Sequence, residues 1–258
     1  MNYGLYMAAS GMSVSMAKQN VLSNNLANVS TVGYKPDTFA TRQRAAVREE
    51  DNLYWMDSNA MLERLGAGVM PTFSRVSQAQ GALTDSDNPL HIAVQGEGFF
   101  RYERADLPEG FSLSRDGRLD LSPEGYLVRS TDGVALLDDS GSRIRIDPGA
   151  HLDIDADGSL RQDGAVVGRL GLVTVPDPTL LVKAGSGDFT FGEQVSPNSL
   201  RAANGRIKQG HLEDSAVDAI KSMMDVTSAS RAAQSNMRMA STIFDVMGEA
   251  INRLGRTS

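Results

Sequence analysis

No cysteine occurs among the 258 residues. Disulfides, thiolate metal sites and thiol nucleophiles are excluded together. Tryptophan is present once, as Trp55, and aromatic residues make up only 6% of the chain, whereas glycine is plentiful at 25 residues. That balance calls for a core of turns and small strands. No run of 18 apolar residues is present, so no membrane span is expected. Clusters of Lys and Arg are missing too, and the net charge is -7. DNA, RNA and anionic lipid are therefore disfavoured as main partners. The opening 34 residues hold one charge, Lys18. They lack the basic start, compact apolar run and small-residue cleavage site of a secretory leader. A cytosolic site is expected unless another export route carries the chain.

What the chain does have is an apolar ladder at each end, with rungs spaced alternately three and four residues apart. The N-terminal ladder is Met1, Leu5, Ala8, Met12, Ser15, Gln19, Leu22, Leu26 and Val29. The C-terminal one is Met223, Val226, Ser230, Ala233, Met237, Ala240, Phe244, Met247, Ile251 and Leu254. A 3,4 repeat holds one face of a slightly underwound helix against a partner, which is the coiled-coil pattern. Met239, Ile243, Val246 and Ala250 form a second stripe, so a single partner helix would leave apolar surface uncovered. The off-ladder face of the N-terminal segment is Ser, Asn, Gln and Ala, almost without charge, where a solvated helix carries Lys and Glu. Packing among several chains is expected, with the N-terminal segment ordering fully only on assembly.

Between the ladders the texture changes. Gly33 and Pro36 end the first helix, and residues 36–80 read as an extended arm or linker without a sustained period. Residues 81–210 carry short apolar runs and four Asp-Gly pairs, at 116–117, 132–133, 157–158 and 163–164. Each pair is a tight-turn signal, and closely spaced strands mean an antiparallel barrel or sandwich. The expected fold class is thus α+β: an N-terminal helix within 1–35 and a C-terminal helix within 211–258 forming a coiled-coil-like layer, with a central antiparallel all-β domain.

Catalytic chemistry was sought and none is assigned. Asp153-Ile-Asp155-Ala-Asp157-Gly158 opens like a calcium loop, but its twelfth position is Gly164 instead of a bidentate Glu, so a β-hairpin turn is the better reading. His91, His151 and His211 lie far apart without metal-ligand spacing. Gly96-Glu-Gly98 runs into Phe99-Phe100 instead of opening a helix, so it is no dinucleotide loop. The expectation is no enzyme, no catalytic residue, no cofactor and no metal.

The run Ser23-Asn-Asn-Leu-Ala-Asn-Val-Ser-Thr-Val-Gly-Tyr-Lys35 resembles the N-terminal signature of the flagellar basal-body rod and hook proteins. The likeness continues in Val94-Gln-Gly-Glu-Gly-Phe-Phe100, in Ser114-Arg-Asp-Gly117 with Glu124-Gly-Tyr-Leu-Val128, and in Gln209-Gly-His-Leu-Glu213. Arg231-Ala-Ala233 departs from it, since many relatives place an aromatic after Arg-Ala. The resemblance implies an axial subunit whose terminal helices form an inner tube and whose β domain faces outward. It implies export through the flagellar type III apparatus without a cleaved signal peptide, a site in the periplasmic rod of the basal body, and a role in transmitting torque from motor to hook. Partners would be copies of the chain and other rod or axial subunits. The start Met1–Gly11 and the layout resemble the proximal rod type more than the distal.

The expected assembly interface comprises Leu5, Met12, Leu22, Asn24, Asn25, Leu26, Asn28 and Val29 with Met223, Val226, Met237, Ala240, Phe244, Met247, Ile251 and Leu254. Buried amides must be hydrogen-bonded, so Asn24, Asn25 and Asn28 are expected to fix register between neighbours, or else to form the ordinary last turns of one helix. The alternatives are a distal rod subunit, a non-enzymatic assembly adaptor using the same helices, and a β-domain hydrolase, for which no acid and nucleophile are found.

Overall fold

The computed structural model describes residues 3–57, 65–185, 187–192 and 196–254. Met1 of the first ladder and residues 58–64 of the arm lie outside the described residues, as does the side chain of Leu254. The chain divides into two compact units. One comprises Met1–Leu26, Asp37–Ser74 and Ala219–Ser258, and the other Ala27–Pro36 with Arg75–Asp218.

The first unit is mainly helical. Its N-terminal helix, Tyr3–Ala27, is rich in Ala, Leu and Met, all good helix formers, which offset Gly4 and Gly11. The C-terminal helix, Ala219–Leu254, has 36 residues and places Arg253 in its last turn, where the dipole favours a cation. At 1.5 Å per residue it is about 54 Å long. It opens at Ala219, within the expected 211–258, and is preceded by His211–Glu213, which pairs antiparallel with Leu83–Asp85. Residues expected to form an extended arm instead fold back, Thr41–Gln43 pairing antiparallel with Val69–Pro71 and a bridge joining Ala46 to Gly66. A single helical turn, Val47–Glu50, sits inside that loop.

The second unit is antiparallel β. A four-stranded sheet runs in the order Val182–Gly185, Asp188–Thr190, Phe111–Ser114, Phe100–Glu103. A three-stranded meander joins Leu152–Ile154, Ser159–Gln162 and Ala165–Arg169. Further pairs are Leu119–Leu121 with Leu127–Arg129, Val173–Thr174 with Arg201–Ala202, and Ile92–Gln95 with Arg206–Gln209. Asp163 and Gly164, with φ of 48° and 84°, make the two-residue hairpin between the second and third meander strands. Asp157-Gly158 turns the preceding hairpin, and Asp157 accepts from the Ser159 N–H and hydroxyl. Asp116-Gly117 behaves differently, for the strands on either side pair elsewhere. A Cβ at Gly117 would lie 1.7 Å from the Ile92 carbonyl oxygen, so glycine is needed there for close approach.

The apolar core of this unit gathers Ile92, Val94, Phe100, Tyr102, Leu119 and Leu136, among others, while Phe99, Leu113 and Phe189 anchor a second cluster. Between the strands lies a buried ion group. The Glu213 carboxylate receives Lys35 Nζ at 2.6 Å and the Gly81 N–H at 3.1 Å on Oε1, and Arg115 Nη1 at 3.0 Å on Oε2. Lys35 also donates to the Ala79 carbonyl, and Arg115 Nη2 to that of Gly96. All three side chains are nearly inaccessible to solvent. Gly33 donates its N–H to the Glu213 carbonyl at 2.7 Å, and Ala216 donates to that of Tyr34. Residues 33–35 and 213–216 are therefore held side by side within the β unit. Gly33 adopts φ +68°, and a Cβ there would lie 2.5 Å from the Arg115 carbonyl carbon, so no other residue fits.

Removing one partner of a buried pair strands the other charge. Glu213→Ala should destabilise the β unit by about 3–5 kcal/mol, read by urea unfolding followed through tyrosine circular dichroism. Burial and the neighbouring Arg115 hold the Lys35 amine below its ordinary pKa of 10.5, with Glu213 pulling the other way. Between that depressed value and 10.5 the unfolded chain binds more protons than the folded one, so unfolding free energy rises with pH in this window. Wild type should accordingly gain stability relative to Lys35→Met as pH climbs through it, as urea titrations at stepped alkaline pH would show.

Candidate assembly interface

The helical unit sorts its side chains by size. On the C-terminal helix one shielded row is Ser222, Val226, Ala229, Ala233, Asn236, Ala240 and Ile243, of which Ser222, Ala229 and Ala233 are buried. These positions keep the 4,3 spacing but lie slightly to one side of the apolar ladder. Val226, Ala233 and Ala240 belong to both. The bulky rungs point outward: Met223 is exposed, as are Met237 at 53%, Phe244 at 56% and Ile251 at 68%, with Met247 less so. In the second stripe Met239 and Val246 are exposed as well.

On the N-terminal helix only Ala8 and Asn25 are fully buried, while Leu5, Met12, Leu22 and Leu26 are half-buried. The helices meet where Gly11 faces Asn236, since a Cβ at Gly11 would come within 2.9 Å of the Asn236 amide nitrogen. Small residues thus let the backbones approach, as at other close helix crossings. Ser10 and Tyr3 tie the helix to the folded-back arm. The Val69 N–H donates to Ser10 Oγ at 3.4 Å, and Tyr3 donates its hydroxyl to Asp51 at 2.8 Å.

The three asparagines have different surroundings. The Asn25 amide makes a two-point clamp on the backbone of Asp37, donating to its carbonyl at 2.8 Å and accepting its N–H at 2.9 Å. Asn28 Oδ1 accepts from the Thr31 hydroxyl at 3.2 Å, and its carbonyl from the Thr31 N–H, closing the turn after the helix. Asn24 is exposed, and Val29 half-buried. Among the described residues no group of three or more His, Asp or Glu could hold a metal ion, and no helix is long and apolar enough to cross a membrane.

Two family profiles match the chain. "Flagella basal body rod protein" covers residues 5–35, and "Flagellar basal body rod FlgEFG protein C-terminal" covers residues 208–254. These are the two terminal helices with the segments that join them to the buried ion group. Along its whole length the chain is 27% identical to the flagellar basal-body rod protein FlgF of Mesorhizobium japonicum, covering 100% of both chains. It is 28% identical to FlgF of Caulobacter vibrioides over 99% of each. It is also 29% identical to FlgG of Bacillus subtilis, over 96% of this chain and 97% of that one. The chain thus resembles the flagellar basal-body rod proteins of the FlgF/FlgG type at both ends and along its length. Rod proteins of this family are structural components and not enzymes.

The four stretches that resemble the rod family meet in one place. Lys35 comes from the first, the carbonyls of Val94 and Gly96 from the second, Arg115 from the third and Glu213 from the fourth. Ser222, Ala229 and Asn236 are the shielded positions that a search for apolar rungs passes over, being small or polar; spacing from Val226 and Ala233 was the available signal.

Asn25→Leu removes both hydrogen bonds to Asp37. The cost should be about 1–3 kcal/mol, the usual penalty for stranding buried polar groups. Limited proteolysis should then cut the 37–57 segment of this rod protein faster, with the β unit remaining resistant.

Proposed function

We propose that this rod protein is a proximal rod subunit, of the FlgF type, that assembles through its terminal helices and passes torque from motor to hook. The observation that carries the reading is the outward ladder Met223, Met237, Phe244 and Ile251. Burying each such side chain is worth about 1.5–3 kcal/mol, and an isolated chain leaves that free energy unrealised. In support, the chain's own helices approach at small residues, where Gly11 faces Asn236, and not at Met223, Met237, Phe244 or Ile251. The bulky rungs therefore remain available for neighbouring helices, in a coiled-coil-like layer of copies of the chain and other rod subunits. Many lateral contacts of this kind, packed at crystal-like density, give the stiffness that torque demands. Leu5, Met12, Leu22, Leu26, Val29, Val226, Ala240, Met247 and Leu254 complete the proposed interface, and exposed Asn24 supplies a polar contact for register. Export through the type III apparatus into the periplasmic part of the basal body belongs to the same reading. Residues Met1–Gly11 and the overall layout support the proximal assignment. The full-length likeness to FlgG favours a distal subunit as the second reading.

Counting the chain by quantitative mass spectrometry in purified hook-basal bodies separates the two. A handful of copies supports the proximal rod and a few tens the distal, while absence from the structure sinks both. Met237→Asp combined with Phe244→Asp should leave unfolding of the β unit unchanged yet reduce incorporation by at least about tenfold, since each charge would be buried unpaired. Normal incorporation and motility would refute the outward ladder as the seam.

A further inference from the structure

Sulfur is distributed unevenly in this chain. With no cysteine, its oxidisable sulfur consists of twelve methionines. Every one falls within Met1–Leu26, Asp37–Ser74 or Ala219–Ser258, the segments of the helical unit, and the β unit contains none. A core that merely needed flexible filler would use methionine in both units. Thioethers confined to one unit suit surfaces that must repack against neighbours, because methionine is unbranched and polarizable. Four of them on the C-terminal helix are more than half exposed: Met223 at 57%, Met224 at 62%, Met237 at 53% and Met239 at 58%. Met223 and Met237 are rungs of the outward ladder.

We infer that Met223, Met224, Met237 and Met239 form a modification site, at which S-oxidation by a peroxide-class oxidant disables the free subunit for assembly while leaving its β unit folded. The inference rests on the assembly reading given above. In the chemical step the thioether sulfur attacks one peroxide oxygen and the O–O bond breaks. The sulfur gains that oxygen as a sulfoxide, a two-electron oxidation, and hydrogen peroxide is reduced to water. The product is a polar, chiral group where an apolar and flexible one stood, and methionine sulfoxide reductases can reverse it. Placed in a seam of apolar rungs, the sulfoxide oxygen must be desolvated without a partner, which opposes association. The β unit has no methionine to oxidise, so oxidation and repair leave its side chains unchanged. Copies already in the rod would bury these thioethers and react slowly.

The test uses full-length protein treated with hydrogen peroxide, with peptide mass spectrometry locating each added oxygen. Association of the chain with itself and with the FlgG-type subunit of the same cell is followed by sedimentation velocity. A variant with Leu at all four positions, M223L/M224L/M237L/M239L, keeps the apolar volume and cannot be oxidised there. Peroxide should weaken association of the wild type by at least about tenfold, which corresponds to 1.4 kcal/mol, and reductase should restore it. Thermal unfolding of the β unit should be unchanged, and the Leu variant should associate equally before and after peroxide. Undiminished association of wild type carrying all four sulfoxides would overturn the modification site while leaving the assembly reading intact. An equal loss in the Leu variant would also overturn it, by placing the sensitive sulfur elsewhere. Absence of association in untreated wild type would contradict the assembly reading itself.

Discussion

The Glu213 carboxylate is the point on which the rest of the chain depends. It holds two buried cations, Lys35 and Arg115, and takes the Gly81 N–H as well. An ion group this deep is costly to desolvate, and a well-packed apolar replacement can match it for stability. Its geometry supplies something an apolar patch would not. Lys35 lies eight residues past the end of the first helix, and Glu213 six residues before the start of the second. Charge pairing with defined hydrogen bonds fixes these two segments in one register, backed by the Gly33 N–H on the Glu213 carbonyl. A second ion group, buried Arg129 and Asp188 with the partly exposed Asp132, ties the sheet together, the Arg129 guanidinium lying over the Tyr102 ring.

Helix faces then divide the labour by residue size. Small side chains face inward and allow close approach, as where Gly11 meets Asn236. Most bulky ones of the C-terminal helix face outward and stay unburied. A monomer optimised for its own stability would arrange them the other way, because cavity-free burial of Met, Phe and Ile is the largest favourable term available. The arrangement suits the assembly proposed above, in which neighbouring helices would cover the outward side chains. Confinement of methionine to the same unit fits surfaces that must accommodate more than one kind of neighbour.

The 3,4 ladders were legible as helices because apolar periodicity is a strong local signal, and the antiparallel β character followed from turn residues such as Asp163-Gly164. Less visible was the rotation of the shielded face toward Ser222, Ala229 and Asn236, for periodicity reports hydrophobicity and packing responds to size. The strand before the C-terminal helix was hidden because His211–Glu213 is a strand only through its long-range pairing with Leu83–Asp85. Asp116-Gly117 looked like a turn, since a close backbone approach and a hairpin both require glycine. The signature residues Lys35, Arg115 and Glu213 could be quoted from the sequence, but their convergence on one carboxylate spans separations of up to 178 residues. No local pattern carries that information.

The most direct test of the outward ladder exploits the absence of cysteine. Phe244→Cys places a single thiol in the whole chain, and its reaction rate with a maleimide can be compared between free subunit and purified hook-basal bodies. The account predicts rapid labelling of the free protein and strong protection in the rod. Equal reactivity in both would contradict it.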